Sequence, residues 1–259
     1  MDLERRFVVK PWGRETLPAP FPSMGEKIGE VWFVSPQPLP LLVKYLFTSE
    51  RLSVQVHPND AQARSSGFAG GKTECWYILD AEPNAQIGLG LTTQLSPEEL
   101  QQAAQDGSIE QLVHWRPVKA GEFLYVPPGT IHAIGAGITL LEFQQNQDVT
   151  YRLYDYGRPR ELHIREAANV ANAMPYPPEL SRHVNPGSSA LLVQGEHFKF
   201  AHARADSINN YFLEQRRWVV PLEGEVRSGD HSAKPGDCLV AAAGEPLHAR
   251  GRFLIGAEA

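Results

Sequence analysis

Cysteine is scarce: the 259 residues hold two, Cys75 and Cys238. Two thiols build no disulfide framework. Long apolar runs are missing as well, and no stretch approaches the ~20 residues of a transmembrane helix. The opening MDLERRFVV places charges where a signal peptide needs an apolar core. There is no basic excess. Lys and Arg number 24 against 30 Asp and Glu, for a net charge of −6 and a pI near 5.9. Non-specific nucleic-acid binding needs the opposite sign, whereas one local cationic pocket for a small anion stays compatible with it. These absences describe a soluble protein of a reducing compartment, expected to be cytoplasmic, with neither nucleic acid nor membrane as partner. They carry no signal for oligomeric state.

Turn chemistry is plentiful. Glycine (22) and proline (21) separate short runs rich in Val, Leu and Phe. VWFVS, LLVKYLF, LSVQVH, CWYIL, FLYVP and ITLLEFQ all read as strands. Helix signals are few. SPEELQQAAQD has Ser96 as N-cap, Pro97 at the first helical position and Glu99 three residues after the cap. ELHIREAANVANA reads as a second helix, and a proline-rich stretch, MPYPPELSRHVNPG, follows it. This pattern predicts a mainly β protein, a sandwich or jelly roll with a few short helices, rather than a parallel sheet.

A weak internal repeat divides the chain. WYILDAE from Trp76 resembles WVVPLEGE from Trp218, and GEFLYVPPGTIHA from Gly121 resembles GDCLVAAAGEPLHA from Gly236. The expected organisation is a lobe over 1–160, a helix and linker over 161–186, and a second, degenerate lobe over 187–259. The differences between the repeats are informative. Glu74 is answered by Arg216, Pro-Pro-Gly by Ala-Ala-Gly, and His248 has no Gln-x-His ahead of it. The first lobe is therefore expected to carry the chemistry and the second to act as scaffold.

LSVQVHPND, from Leu52 to Asp60, concentrates the question. Side chains alternate along a strand. Leu52, Val54 and Val56 face one way, while Ser53, Gln55 and His57 face the other, so three polar groups can reach one point. Lys72 and Glu74 share a face two residues apart, and Cys75 points away from them as a small core residue. Glu142, next to Leu141 and Phe143, is expected to point inward with Gln144. It is a candidate base or an orienting partner. Arg152 shares a face with Tyr154, and its ordinary alternative is an ion pair with Asp155 or Asp148. Isolated histidines such as His114, His163, His183, His197, His202 and His231 carry no comparable pattern.

The run GEFLYVPPGTIH fits the second cupin motif, with Gly121, Pro127, Gly129 and His132 at the cupin intervals. Gln55-Val56-His57 stands where cupins usually place His-x-His. Gln-x-His-Pro, then Lys-x-Glu-x-Trp-Tyr, then Pro-x-Gly-Thr-x-His resembles the type I mannose-6-phosphate isomerases. IGEVWFVS, EFQQNQDVTYRLYDYGR and RELHI extend the resemblance. It covers most of the first lobe and the linker, and the second lobe more loosely. It implies a two-lobed cupin, a double-stranded β-helix, with one Zn²⁺ in the first lobe held by Gln55, His57, Glu74 and His132. It also implies an aldose–ketose isomerase of carbohydrate metabolism, converting mannose 6-phosphate to fructose 6-phosphate through a cis-enediol. Ser53, Lys72 and Arg152 fall at substrate-pocket positions, and Arg152, Lys72 and Glu142 are the catalytic candidates. Gln147 departs from the serine common in the family, so the resemblance implies no phosphate contact there, and the metal set is untouched. Two rival readings remain: an Fe(II) cupin oxygenase built on His57, His132 and Glu74, and a non-catalytic sugar-binding cupin. Gln55 opposes the first, because a fourth protein ligand occupies a position that oxygen chemistry needs open. Lys72, Arg152 and Glu142 oppose the second.

Overall fold

The computed structural model describes residues 1–259. It is mainly β, and every strand pairing in its three sheets is antiparallel. The first sheet has seven strands, in the order Glu4–Arg14, Ile28–Val34, Leu41–Phe47, Ile138–Gln145, Glu74–Ala81, Glu122–Val126 and Ser181–His183. The second has five, in the order Tyr151–Tyr154, Val54–Val56, His132–Ile134, Gln86–Leu91 and Val113–Pro117. The third is built from residues beyond 189 and holds six. No helix is long and apolar enough to cross a membrane.

The first sheet lies between the other two, and its alternation serves both. Val31, Phe33, Val43, Tyr45, Cys75, Tyr77, Phe123 and Phe143 pack with Phe198, Phe200, Trp218, Val220 and Leu254 of the third sheet. The residues of opposite parity, Leu46, Trp76, Ile78, Leu124, Val126 and Leu140, pack with Ile87, Leu89 and Ile134 of the second. The second sheet turns its outer face, Val54, Val56, Leu91, Ala133, Tyr151 and Leu153, onto the helices Pro97–Asp106 and Ile164–Val170. Each core strand is thus buried on both faces.

The helix over 97–106 matches the sequence reading, with Ser96 accepting from the Glu99 amide and the Glu99 side chain accepting from the Ser96 amide. The linker helix is shorter than its pattern, Ile164–Val170, and its cap residue His163 makes no side-chain capping bond. Linker residues Ser181–His183 add an edge strand to the first sheet. The third sheet departs from a second complete cup. It is a single sheet with a small core of its own on its far face, including Ala203, Val219, Leu239, Phe253 and Ile255. The chain start is stitched to it: the Met1 amine donates to the Val240 carbonyl at 2.8 Å, and Asp2 bridges Leu239.

Gly256 marks the closest approach between the first and third sheets. A Cβ there would sit 2.1 Å from the Phe143 ring. Gly256→Ala should therefore destabilise by about 1–3 kcal/mol through overpacking. The urea midpoint should fall at constant m-value. An unchanged midpoint would show that the Phe143 ring gives way freely.

Candidate active site

Local chemistry brings the polar residues together between the first and second sheets. His57 and Pro58 follow the strand Val54–Val56, and Asn59 caps a helix over Asp60–Ser65 in a capping box with Gln62. Gly71 passes so close that a Cβ would meet the Pro58 oxygen at 2.5 Å. The Lys72 amide donates to that same oxygen at 3.1 Å. Asp60 Oδ1 accepts from the Gly71 amide at 2.8 Å and from Gln145 Nε2 at 3.0 Å. Lys72 is thereby laid beside His57. On the other side, Gly129 adopts a φ of +83° that favours glycine. Its amide donates to the His57 carbonyl at 2.8 Å, and its carbonyl accepts from the Asn172 amide at 2.7 Å. Across the second sheet Gln55 is paired with both His132 and Arg152.

The floor of the site is His57, Glu74 and His132, all buried and with ligand atoms within 4.8 Å of one another. His57 Nδ1 lies 2.8 Å from the Val149 carbonyl, and His132 Nδ1 lies 2.9 Å from the Thr130 carbonyl. A carbonyl only accepts, so each Nδ1 carries the proton and each Nε2 presents a lone pair. Burial first, and then the charge of Lys72, lower both imidazoles, His132 to about 4 and His57 well below its usual value. Both rings are therefore neutral at pH 7. Their Nε2 atoms face the Glu74 oxygens at 3.5 and 3.4 Å. Glu74 Oε1 is buried without any hydrogen-bond donor. Lone pairs opposed to lone pairs across such a gap are what a cation relieves. Two imidazole nitrogens, a carboxylate and a nearby amide form a donor set that fits a borderline ion such as Zn²⁺. The Gln55 amide is that neighbour, with Nε2 3.2 Å from His132 Nε2 and Oε1 accepting from Ser53 Oγ at 3.2 Å.

Above the floor sits a tier of buried charge. Lys72 Nζ is 2.6 Å from Glu74 Oε2, 3.2 Å from His57 Nε2 and 3.7 Å from Glu142 Oε1. Burial opposes its charge, but Glu142 and Glu74 outweigh burial and hold the ammonium above its ordinary pKa. Glu142 also takes Lys44 at 3.1 Å and the Trp76 indole N–H at 3.2 Å. Burial pushes the Glu142 carboxyl up, and the two ammoniums pull it down further, below the usual carboxylate range. Glu74 is shifted the other way, by burial and by the charge of Glu142.

A narrow cleft of about 90 Å³ opens over this tier. Its walls carry Lys10, Lys44, Lys72, Arg152 and Arg160 against Glu30, Glu142 and Asp148. Common ligand pockets run to roughly 300–1,000 Å³, so a ligand of ordinary size entering here must move long side chains. Arg152 has no salt bridge, and its buried Nε has no partner. Asp155, the suggested ion-pair partner, is taken by Arg158 and Arg160.

The structure thus gathers Ser53, Gln55, His57, Lys72, Glu74, His132, Glu142 and Arg152 in one region. Cys75 faces the third sheet, as expected, and Cys238 lies in the same core. Tyr154 does not follow Arg152 into the cleft, because a register shift between them turns it toward Tyr156. Lys44, Glu30, Trp32 and Arg160 escaped the sequence reading. Lys44 had a signal, since it is the one polar residue in the run LLVKYLF. His248, the repeat's counterpart of His132, is exposed.

The mannose-6-phosphate isomerase of Streptococcus mutans is 47% identical over 148 residues, which is 52% of this chain and 46% of that protein. The chain is related to the mannose-6-phosphate isomerases. It spans about half the length of the curated relatives it matches. The crystal structure of the mannose 6-phosphate isomerase from Bacillus subtilis superposes with a TM-score of 0.77 over 98% of both chains, at 29% identity. A zinc-bound mannose 6-phosphate isomerase superposes at 0.74 over 99% of this chain and 98% of its own, at 16% identity, a likeness of fold alone. No protein-family model matches the chain.

Asp60 offers a test of the support beneath Lys72. The Gly71 amide, against partial burial and helped by Gln145, lowers its carboxyl below the ordinary value. The folded state therefore favours the ionised form. That stabilisation is complete above the unfolded pKa, near 3.9, and is lost as pH falls through the lower folded value. Asp60→Ala should cost about 1 kcal/mol at pH 7, with the deficit shrinking below about pH 4. A deficit constant from pH 7 to 3 would mean that the charge plays no part.

Proposed function

We propose that the chain is a metal-dependent aldose–ketose isomerase that interconverts mannose 6-phosphate and fructose 6-phosphate in the cytoplasm. One observation carries the reading. Two Nε2 lone pairs and an orphaned carboxylate oxygen converge behind Lys72 and Gln55, which line a cleft rich in ammonium and guanidinium groups. His57, Glu74 and His132 would hold Zn²⁺, with Gln55 turning its amide oxygen in as the fourth ligand. When bound, the ion supplies Lewis-acid polarisation of the substrate's carbonyl and hydroxyl oxygens. We also propose a division of labour along the chain, with 1–160 carrying the site, 161–186 joining the halves and 187–259 buttressing the first sheet.

The side chains of this chain have distinct tasks in that reading. Lys72 keeps its proton and presents positive charge toward the oxygens on which negative charge develops in the cis-enediol. Arg152 offers a planar, always-charged fork to the anionic parts of the substrate. Ser53 orients the Gln55 amide. Glu142 holds Lys44, Lys72 and Trp76 in place. Its depressed carboxyl favours this orienting role over that of a base.

Elemental analysis and an isomerase assay test the reading together. One zinc per chain with turnover of mannose 6-phosphate is expected. Iron with oxygen consumption would replace the reading by an oxygenase, and sugar phosphate binding without turnover would leave a sugar-binding cupin. Glu74→Gln should release metal to a chelator far more readily than wild type, because the only anionic ligand is gone, whereas Cys75→Ala should retain it. Equal release from both variants would contradict the register of the strand Glu74–Ala81.

Arg152→Lys should keep the fold and the metal but lose activity steeply. Removing one preorganised donor from a developing anion costs about 3–4 kcal/mol, on the order of a hundred to a thousandfold in rate. A surface ion pair is worth about 1 kcal/mol or less, in stability alone. Activity within a few-fold of wild type would return Arg152 to a structural role.

A further inference from the structure

Arg160 is the cation of the cleft that neither the motif nor the metal floor accounts for. Its Nε and Nη2 donate to Asp155 Oδ2 and Oδ1 at 2.5 and 2.7 Å, a two-point grip. The Asp155 side chain is 2% exposed and also takes Arg158 Nη2 at 2.9 Å. Arg158 in turn donates to the Arg51 carbonyl at 2.6 Å, which ties the turn to the body of the first lobe. One buried carboxylate therefore fixes two guanidiniums, and Glu50 stands 4.0 Å from Arg158 on its other side. Arg160 has one edge committed to Asp155 and lines the cleft beside Arg152.

Arg152 has no salt bridge, and its Nε is without a partner. Burial, and next the charge of Arg160, hold its guanidinium below the ordinary value. Asp155, Asp148 and Glu161 act in the opposite direction, each less than Arg160. Arg152 and Arg160 share the cleft with Asp148, and a bound anion would relieve the repulsion between the two guanidiniums. Lys10, the other cation at this level, is already paired with Glu30 at 3.3 Å. Arg152 is thus the guanidinium of the cleft without an ion pair, and Arg160 beside it keeps the edge that Asp155 does not hold.

We propose that Arg160 and Arg152 form a two-guanidinium clamp for the phosphate of the substrate, and that Asp155 is the positioning residue that aims Arg160. The proposal rests on the sugar phosphate reading above. It divides the work within the cleft. Arg152 moves with the entering substrate, while Arg160 is rigid and sets where the phosphate stops. A preorganised fork loses little freedom on binding an oxyanion, so the gain lies in affinity and placement.

The test uses the metal-loaded full chain, with inorganic phosphate as probe and mannose 6-phosphate as substrate. Arg160→Gln should leave the metal content near that of wild type, with a lowered melting temperature because the buried Asp155 keeps only Arg158. It should weaken phosphate binding, read by calorimetry, by roughly 10- to 100-fold. With mannose 6-phosphate the loss in kcat/KM should appear mainly in KM. Arg160→Lys should recover part of the phosphate affinity, because the charge returns without the fork. Asp155→Asn should weaken phosphate in the same direction as Arg160→Gln. Phosphate affinity unchanged in Arg160→Gln would overturn the clamp, as would a melting temperature and kcat that fall together at constant KM. A wild type that binds no phosphate at millimolar concentration would overturn it as well. Phosphate binding that depends on Arg160 in a protein with no isomerase activity would support the clamp while refuting the proposed reaction.

Discussion

The contact between Lys72 and Glu74, 2.6 Å apart and sealed between two sheets, is the constraint around which the rest is arranged. An isolated charge in such a place costs several kcal/mol even after relaxation. Neither residue is tolerable there alone. Glu142 and Lys44 extend the pair into an alternating group of two carboxylates and two ammoniums. Every member then has an opposite charge within reach, and the Trp76 indole fills one more acceptor site. Burial denies the imidazoles their protons, and the charge of Lys72 beside them adds to the effect. Burial and this charged lattice together therefore prepare two neutral nitrogen ligands without any contribution from solvent.

That lattice needs a rigid frame, and the frame comes from a division of parity. The strand Glu74–Ala81 sends Glu74, Trp76 and Ile78 inward to the second sheet and Cys75 and Tyr77 outward to the third. A slip of one residue would exchange Glu74 for Cys75, placing a carboxylate among Phe143, Phe198 and Trp218. The third sheet thus fixes the register of the strand that carries the anionic ligand, although it contributes nothing to the floor of the site. Gly256 against Phe143 is where that registration is tightest.

Much of this was legible in the sequence, and the rest was hidden for identifiable reasons. Alternation in LSVQVH separated Ser53, Gln55 and His57 from Val54 and Val56, although the strand itself spans only Val54–Val56. Capping chemistry placed the helix at Ser96–Pro97. A capping box at Asn59 and Gln62 carried the same kind of signal for Asp60–Ser65, but glycines soon after and only six helical residues left no periodicity to read. Lys44 was hidden because its partners, Glu142 and Trp32, are distant in sequence, and a lone lysine in a strand reads as an edge. Arg160 was hidden because Gly157 and Pro159 make its surroundings look like plain turn. The single third sheet was masked by a repeat that preserves order but not closure.

The repeat also shows what each half is held to. In the first half the run to His132 must deliver a nitrogen to a fixed point, so it uses Gly129 at positive φ and locks its backbone to His57 and Asn172. In the second half the matching run ends at an exposed His248, and the position matching Glu74 is an exposed Arg216. Nothing there is required to converge. What is required is an apolar surface shaped to Phe143, Tyr45 and Phe123, and Phe198, Phe200, Trp218 and Leu254 provide it. Burial of that kind is non-directional and tolerates many solutions of similar volume. Ligand geometry tolerates few. A half relieved of chemistry can therefore lose its ligands and its second sheet while still determining whether the other half keeps Glu74 facing the right way.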